Sequence, residues 1–154
     1  MNQDVYVNQK LIPEDMIGQE MQYHPAQSKQ EAWQKAAEAL VLREVLLQEA
    51  FKEQVAEVDN DDADVIDKLL AKKLEINEPS DADCEAFYQA QAHRFVDAQG
   101  QTLAYAEVET LIKNELTARF GRQAVSRYLQ QLLDNTQLQG IVMGKAWLPI
   151  RMMN

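Results

Sequence analysis

Apolar residues recur every three or four positions through most of the chain. Trp33, Ala36, Ala37, Leu40, Val41, Val45, Leu47 and Phe51 trace one face of a long helix, and Leu42 and Leu46 widen the stripe beyond a narrow seam. Ser28 and Glu31 have the spacing of a capping box, in which the serine hydroxyl takes an orphan amide and the glutamate returns a bond to the cap. This helix is expected at the centre of the core. Val65, Ile66, Leu69, Leu70 and Leu74 predict a shorter amphipathic helix, entered through the acids at 59–64. Cys84, Phe87, Tyr88 and Phe95 mark the buried side of a further helix capped by Ser80. Beyond a loop at 97–101, Val108, Leu111, Ile112, Leu116, Phe120, Ala124, Tyr128, Leu132 and Leu133 follow a long final helix, with Gly121 as its weak point.

Two stretches read differently. Residues 5–12 place β-branched and aromatic side chains around an Asn8-Gln9 turn, which predicts a strand or hairpin. Pro13, Glu14 and Asp15 then open a short helix carried by Met16, Ile17, Glu20 and Met21, and Tyr23-His24-Pro25 closes it, because a residue before proline is pushed out of the helical region. Residues 140–150 predict a second strand or hairpin. It is the natural partner of the first, since a short β segment is not stable alone. The expected fold is mainly α: one helical domain, 1–154, of about five helices, with a small β element formed by the N- and C-terminal segments.

A length of 154 residues suits one domain with a real core, and scarce glycine and proline favour helices. The net charge of -10 opposes binding to phosphate backbones and anionic lipid, so neither nucleic acid nor membrane is an expected partner. The charge is uneven. Residues 53–85 hold twelve acids and three lysines, whereas 111–154 hold two acids and six bases; the first stretch reads as a solvated acidic face, with the alternative that the two complementary halves face each other, within one chain or between two. With no signal peptide or spanning segment in view, the cytoplasm is the expected location.

The search for chemistry is short. Cys84 has no disulfide partner, and His24 and His93 are too far apart in sequence for metal-ligand spacing. The acids from Asp59 to Asp64 lack the turn glycine and the distal bidentate glutamate of a calcium loop. No phosphate loop, nucleophile elbow or His-Glu metal motif occurs, and His93 beside Arg94 reads as helix-end surface. No catalytic residue, metal or cofactor is expected. What remains is apolar: Met16, Met21, Met143, Met152 and Met153 cluster toward the two ends of the sequence, with Trp147 nearby. If the ends meet, Met16, Met21, Met143, Trp147 and Met152 are the candidate polypeptide-binding residues, because flexible thioethers accommodate varied peptides.

The run from Val7 through Pro13-Glu14, then Tyr23-His24-Pro25-Ala26, then the helix from Ala36 to Ala50 resemble the N-terminal helical region of SurA-type, parvulin-class peptidyl-prolyl isomerases, nearest to the nitrogenase-maturation branch. Leu69, Leu70 and Leu74, the stretch from Glu78 to Cys84, and Phe87-Tyr88 with Arg94-Phe95 resemble the two helices that lead into that family's catalytic domain. There the family carries roughly ninety residues of isomerase, a typical small-domain length. This chain instead passes through a short connection, 96–104, to a part, 105–154, that resembles the helix and strand following the isomerase. The resemblance implies a chaperone scaffold without its enzyme, holding unfolded or nascent polypeptides, with its terminal segments packed together. It carries over no catalytic position. A rival expectation is a non-enzymatic structural or regulatory subunit with a dedicated partner, or a homodimer in which the short connection lets helices swap between chains.

Overall fold

A computed structural model describes residues 4–55 and 61–144. Among them the chain forms five α-helices and a three-stranded antiparallel sheet. The order is β1 (Val5–Val7), β2 (Lys10–Ile12), α1 (Glu14–Glu20), α2 (Lys29–Lys52), α3 (Asp62–Lys73), α4 (Asp81–Ala90), α5 (Tyr105–Asp134) and β3 (Leu138–Gln139), with single 3-10 turns at Met21–Tyr23 and Ala92–Arg94. The fold is mainly helical, closed by a sheet drawn from both terminal segments.

Asn8 and Gln9 both adopt positive φ, 51° and 72°, as a two-residue hairpin turn requires, and set β1 against β2 with Val5 opposite Ile12. On its other edge β1 pairs with β3, Tyr6 opposite Gln139 and Val7 opposite Leu138, so the sheet order is β2-β1-β3. The C-terminal strand therefore lies at 138–139, ahead of the 140–150 span expected from its apolar run. Gly140 ends it. Its φ is 81°, and a Cβ there would collide with the Asp4 carbonyl oxygen and carbon. Residues 141–144 carry no regular structure, and 145–150 lie outside the described residues.

The helix starts follow side-chain capping. Ser28 accepts from the Glu31 amide at 3.1 Å, while the Glu31 carboxylate accepts from the Gln27 amide at 3.0 Å, one residue ahead of the position a capping box uses. Asp61 caps α3 from the Asp64 amide at 2.8 Å. Ser80 and Asp83 form the full reciprocal box at α4, both bonds at 3.0 Å.

Two compact units result: residues 1–74 with 125–154, and residues 75–124. Helix α5 supplies apolar residues to the core of each unit. In the first unit, one cluster joins Val5, Val7, Ile12 and Ile17 to Ala36, Ala37, Leu40, Val41 and Val45 of α2. Another joins Leu42, Leu46 and Ala50 of α2 to Val65, Ile66 and Leu69 of α3 and to Val125 and Leu129 of α5. In the second unit, Cys84 and Phe87 pack with Phe95, Val108, Ile112 and Leu116. Phe95 reaches this core from beyond the end of α4. A tight turn brings it there: the Asp97 carboxylate accepts from the Gln99 and Gln101 amides, each at 2.9 Å, and the Leu103 amide donates to the Phe95 carbonyl at 2.7 Å.

The apolar stripes read too generously in two places. Phe51 is 78% exposed at the last turn of α2, and Leu111 is exposed on α5, whereas Val125 and Leu129 are buried beside Ala124 in the C-terminal half of α5. The α5 stripe serves two cores in succession, so no one set of three- and four-residue steps describes it.

Leu40, buried on α2, anchors the first cluster. Leu40→Asp places an unpaired carboxylate there and should cost roughly 3 kcal/mol or more, seen as loss of the cooperative thermal transition. Two glycines of equal φ provide a graded test. Gly100→Ala meets open space and should cost only the left-handed backbone penalty of about 1–2 kcal/mol. Gly140→Ala meets the Asp4 backbone as well and should cost clearly more in parallel denaturant titrations.

Candidate functional site

Of the sequence candidates, Met21 and Met143 are partly buried against the same cluster of β1, α1 and α2, so the fold brings these two onto one core. Met16 stands on α1 with nearly half its surface exposed. Trp147 and Met152 lie outside the described residues.

The more informative arrangement is a row on α2. Gln34, Glu38, Val41, Val45 and Gln48 follow each other at steps of four, three, four and three residues, which puts them on one helix face. The middle of the row is apolar core, and each end grips main chain. At the C-terminal end, Gln48 donates to the Val7 carbonyl at 3.1 Å and accepts from Asn8 Nδ2 at 2.9 Å. Asn8 in turn exchanges bonds with Gln137, accepting from its amide through Oδ1 and donating its own amide to its carbonyl, each at 2.8 Å. One side chain of α2 thereby seals the turn that holds β1, β2 and the approach to β3.

At the N-terminal end the row holds residues 142 and 144. Gln34 donates to the Val142 carbonyl at 2.8 Å, and Glu38 Oε2 accepts from the Gly144 amide at 2.6 Å and from Gln34 Nε2 at 3.2 Å. Glu38 is only 7% exposed. A buried carboxylate is tolerated where donors face it, and the short Gly144 bond is of the charge-assisted kind. Ile141 and Met143 pack inward against the apolar clusters, while the Val142 side chain is 84% exposed. The segment is thus bound through alternate side chains and through its backbone. Reading the sequence by apolar periodicity misses Gln34 and Glu38, because polar residues on a helix are assigned to the solvent face. The signal was their register with Val41 and Val45.

Other polar features serve structure. His24 is buried and its Nε2 lies 2.7 Å from Glu20 Oε2, one helical turn back. In the second unit, Arg94 and Arg119 both reach the Glu115 carboxylate and lie over the Phe87 ring. Among the described residues no group of three or more His, Cys, Asp or Glu side chains is placed to hold a metal ion, and no helix is long and apolar enough to cross a membrane. Comparison with protein-family models, curated proteins and solved structures found no match to the chain.

Among the described residues the Tyr128 hydroxyl is enclosed without a hydrogen-bond partner, beside the second cluster. Burial, reinforced by the negative charges of Glu49 and Glu53, pushes its phenol up to about 12 from the ordinary 10.0. Between those values the unfolded chain releases a proton that the folded chain keeps. The contribution is therefore fully present below pH 10 and lost as pH rises toward 12. Tyr128→Phe should leave stability at neutral pH unchanged or raised by up to ~1 kcal/mol, since it removes an unpartnered hydroxyl. It should also lessen the decline above pH 10 in denaturant titrations; parallel declines in the two proteins would contradict the assignment.

Proposed function

We propose that the chain is a non-enzymatic, chaperone-like module that binds unfolded or partly folded polypeptides. The observation that carries this reading is the main-chain grip of α2. Gln34 and Glu38 hold a segment through a carbonyl and an amide, groups that every polypeptide presents, while apolar clusters receive alternate side chains. Recognition of that kind depends little on client sequence. Met21 and Met143, flexible and polarizable, suit such a surface. The resemblance to a SurA-type scaffold that lacks its isomerase domain points the same way, and the charge of -10 keeps a protein with exposed apolar side chains from self-association. The cytoplasm is the proposed compartment, with unfolded or nascent chains as partners.

The test is suppression of aggregation. Near-stoichiometric amounts of the protein should reduce light scattering from several unrelated denatured clients, with no acceleration of a proline-limited refolding reaction, which is slow enough to follow directly. Protection of a single client only would favour a dedicated-partner subunit. Absence of protection across the set would end the chaperone reading.

A further inference from the structure

We propose that residues 75–124 form a separately cooperative part of the fold, which opens and recloses while β1, α2, α3 and the second half of α5 stay in place. The unit is built from its own residues. Its core joins Cys84 and Phe87 of α4 to Phe95 and to Val108, Ile112 and Leu116 of α5. Its polar contacts run between its own residues too: Ser80 bonds with Asp83 at the start of α4, the Tyr88 hydroxyl donates to the Leu103 carbonyl, and Arg94 and Arg119 meet at the Glu115 carboxylate. A unit this small buries a modest share of its surface and is correspondingly marginal. Contiguous units with few buried apolar side chains are the ones that native proteins open below the free energy of global unfolding.

Both chain connections allow this. Residues 74–80 carry no regular structure, so opening there disrupts no helix or strand. At the other connection α5 runs without interruption from one core to the next, with Val125 and Leu129 buried in the first unit. Most of a helix's stability in a protein comes from the packing of its apolar face, so loss of the aromatic core melts α5 from Tyr105 toward the turn that Val125 anchors. Gly121 stands one turn ahead of Val125, and glycine propagates a helix less well than alanine, which sets the boundary there. The first unit keeps its own closure, with β1 held between β2 and β3 and two apolar clusters on α2. Opening brings to solvent what the closed unit conceals: the Phe87 and Phe95 rings and the thiol of Cys84, the one cysteine of the chain.

The experiment uses the full chain, with Cys84 as reporter. Alkylation by iodoacetamide without denaturant should run roughly tenfold or more faster than the global unfolding equilibrium from a urea titration allows. It should also rise less steeply with urea than global unfolding does, because that slope follows the surface exposed. In native-state hydrogen exchange, the amides of α4 should be protected roughly tenfold or more below those of α2 between Ala36 and Leu46. Ile112→Ala leaves a cavity in the core of 75–124 alone. It should speed Cys84 alkylation and α4 exchange about tenfold or more and change α2 exchange less than about twofold, including where it holds 75–124 open throughout. Wild-type alkylation with the rate and urea slope of global unfolding overturns the proposal. So does an Ile112→Ala protein in which α2 and α4 exchange accelerate together, or in which the whole chain unfolds.

Discussion

Strand β1 lies between partners contributed by opposite ends of the sequence, and its backbone groups are satisfied only when both are in place. Val5 and Val7 are fully buried, so unpaired amides or carbonyls beside them would carry the full cost of desolvation. The hairpin turn at Asn8-Gln9 supplies one edge locally. The other edge waits for β3, which is separated from β1 by most of the chain. This closure sets what α2 can do. The helix packs against α1 and α3 and contacts β1, and Gln48 bonds to the Val7 carbonyl and to the turn, so the sheet and the helix fix each other's register.

With that register set, polar residues at both ends of a core-facing stripe become structural. Gln34, Glu38 and Gln48 would be poor choices for a dry core. They are good choices where an irregular backbone segment must be kept close to a helix, because side-chain amides and carboxylates can satisfy carbonyls and amides that no strand or helix serves. Glu38 concentrates this logic: a carboxylate within the core boundary, tolerable because of what it holds. The same logic underlies the polypeptide binding proposed for the chain, since side chains that satisfy its own irregular backbone are of the kind that could satisfy another's.

The second unit has a different character. Its core is aromatic, with Tyr88 stacked on Phe95 at 6.1 Å and edge-on to Tyr105 at 5.5 Å, and arginines cover the Phe87 ring. Its connection is drawn shut by Asp97, whose carboxylate gathers two amides of the turn, with Gly100 at a φ of 81° allowing the chain to reverse. Among the described residues the Tyr105 hydroxyl is enclosed without a hydrogen-bond partner, and its phenol is raised by burial and by nearby Cys84 and acids.

The sequence by itself determined the local elements. Ser28, Asp61 and Ser80 mark helix starts because an orphan amide needs an acceptor a few residues away, and the Asn8-Gln9 turn, the Asp97 loop and the apolar steps of α2 are likewise information carried within a few residues. The meeting of the two ends could also be anticipated, since a strand of three residues needs a partner. Only the tertiary structure decided where the C-terminal strand stops, because the steric limit at Gly140 is set by Asp4, far away in sequence. It also decided that Phe51 and Leu111 face outward, since the burial of an apolar side chain depends on which neighbour covers it. Above all it decided that Gln34 and Glu38 face inward. Their polarity assigns them to solvent under any local rule, and only the arrival of Val142 and Gly144, more than a hundred residues later, makes a buried carboxylate and a half-buried amide favourable.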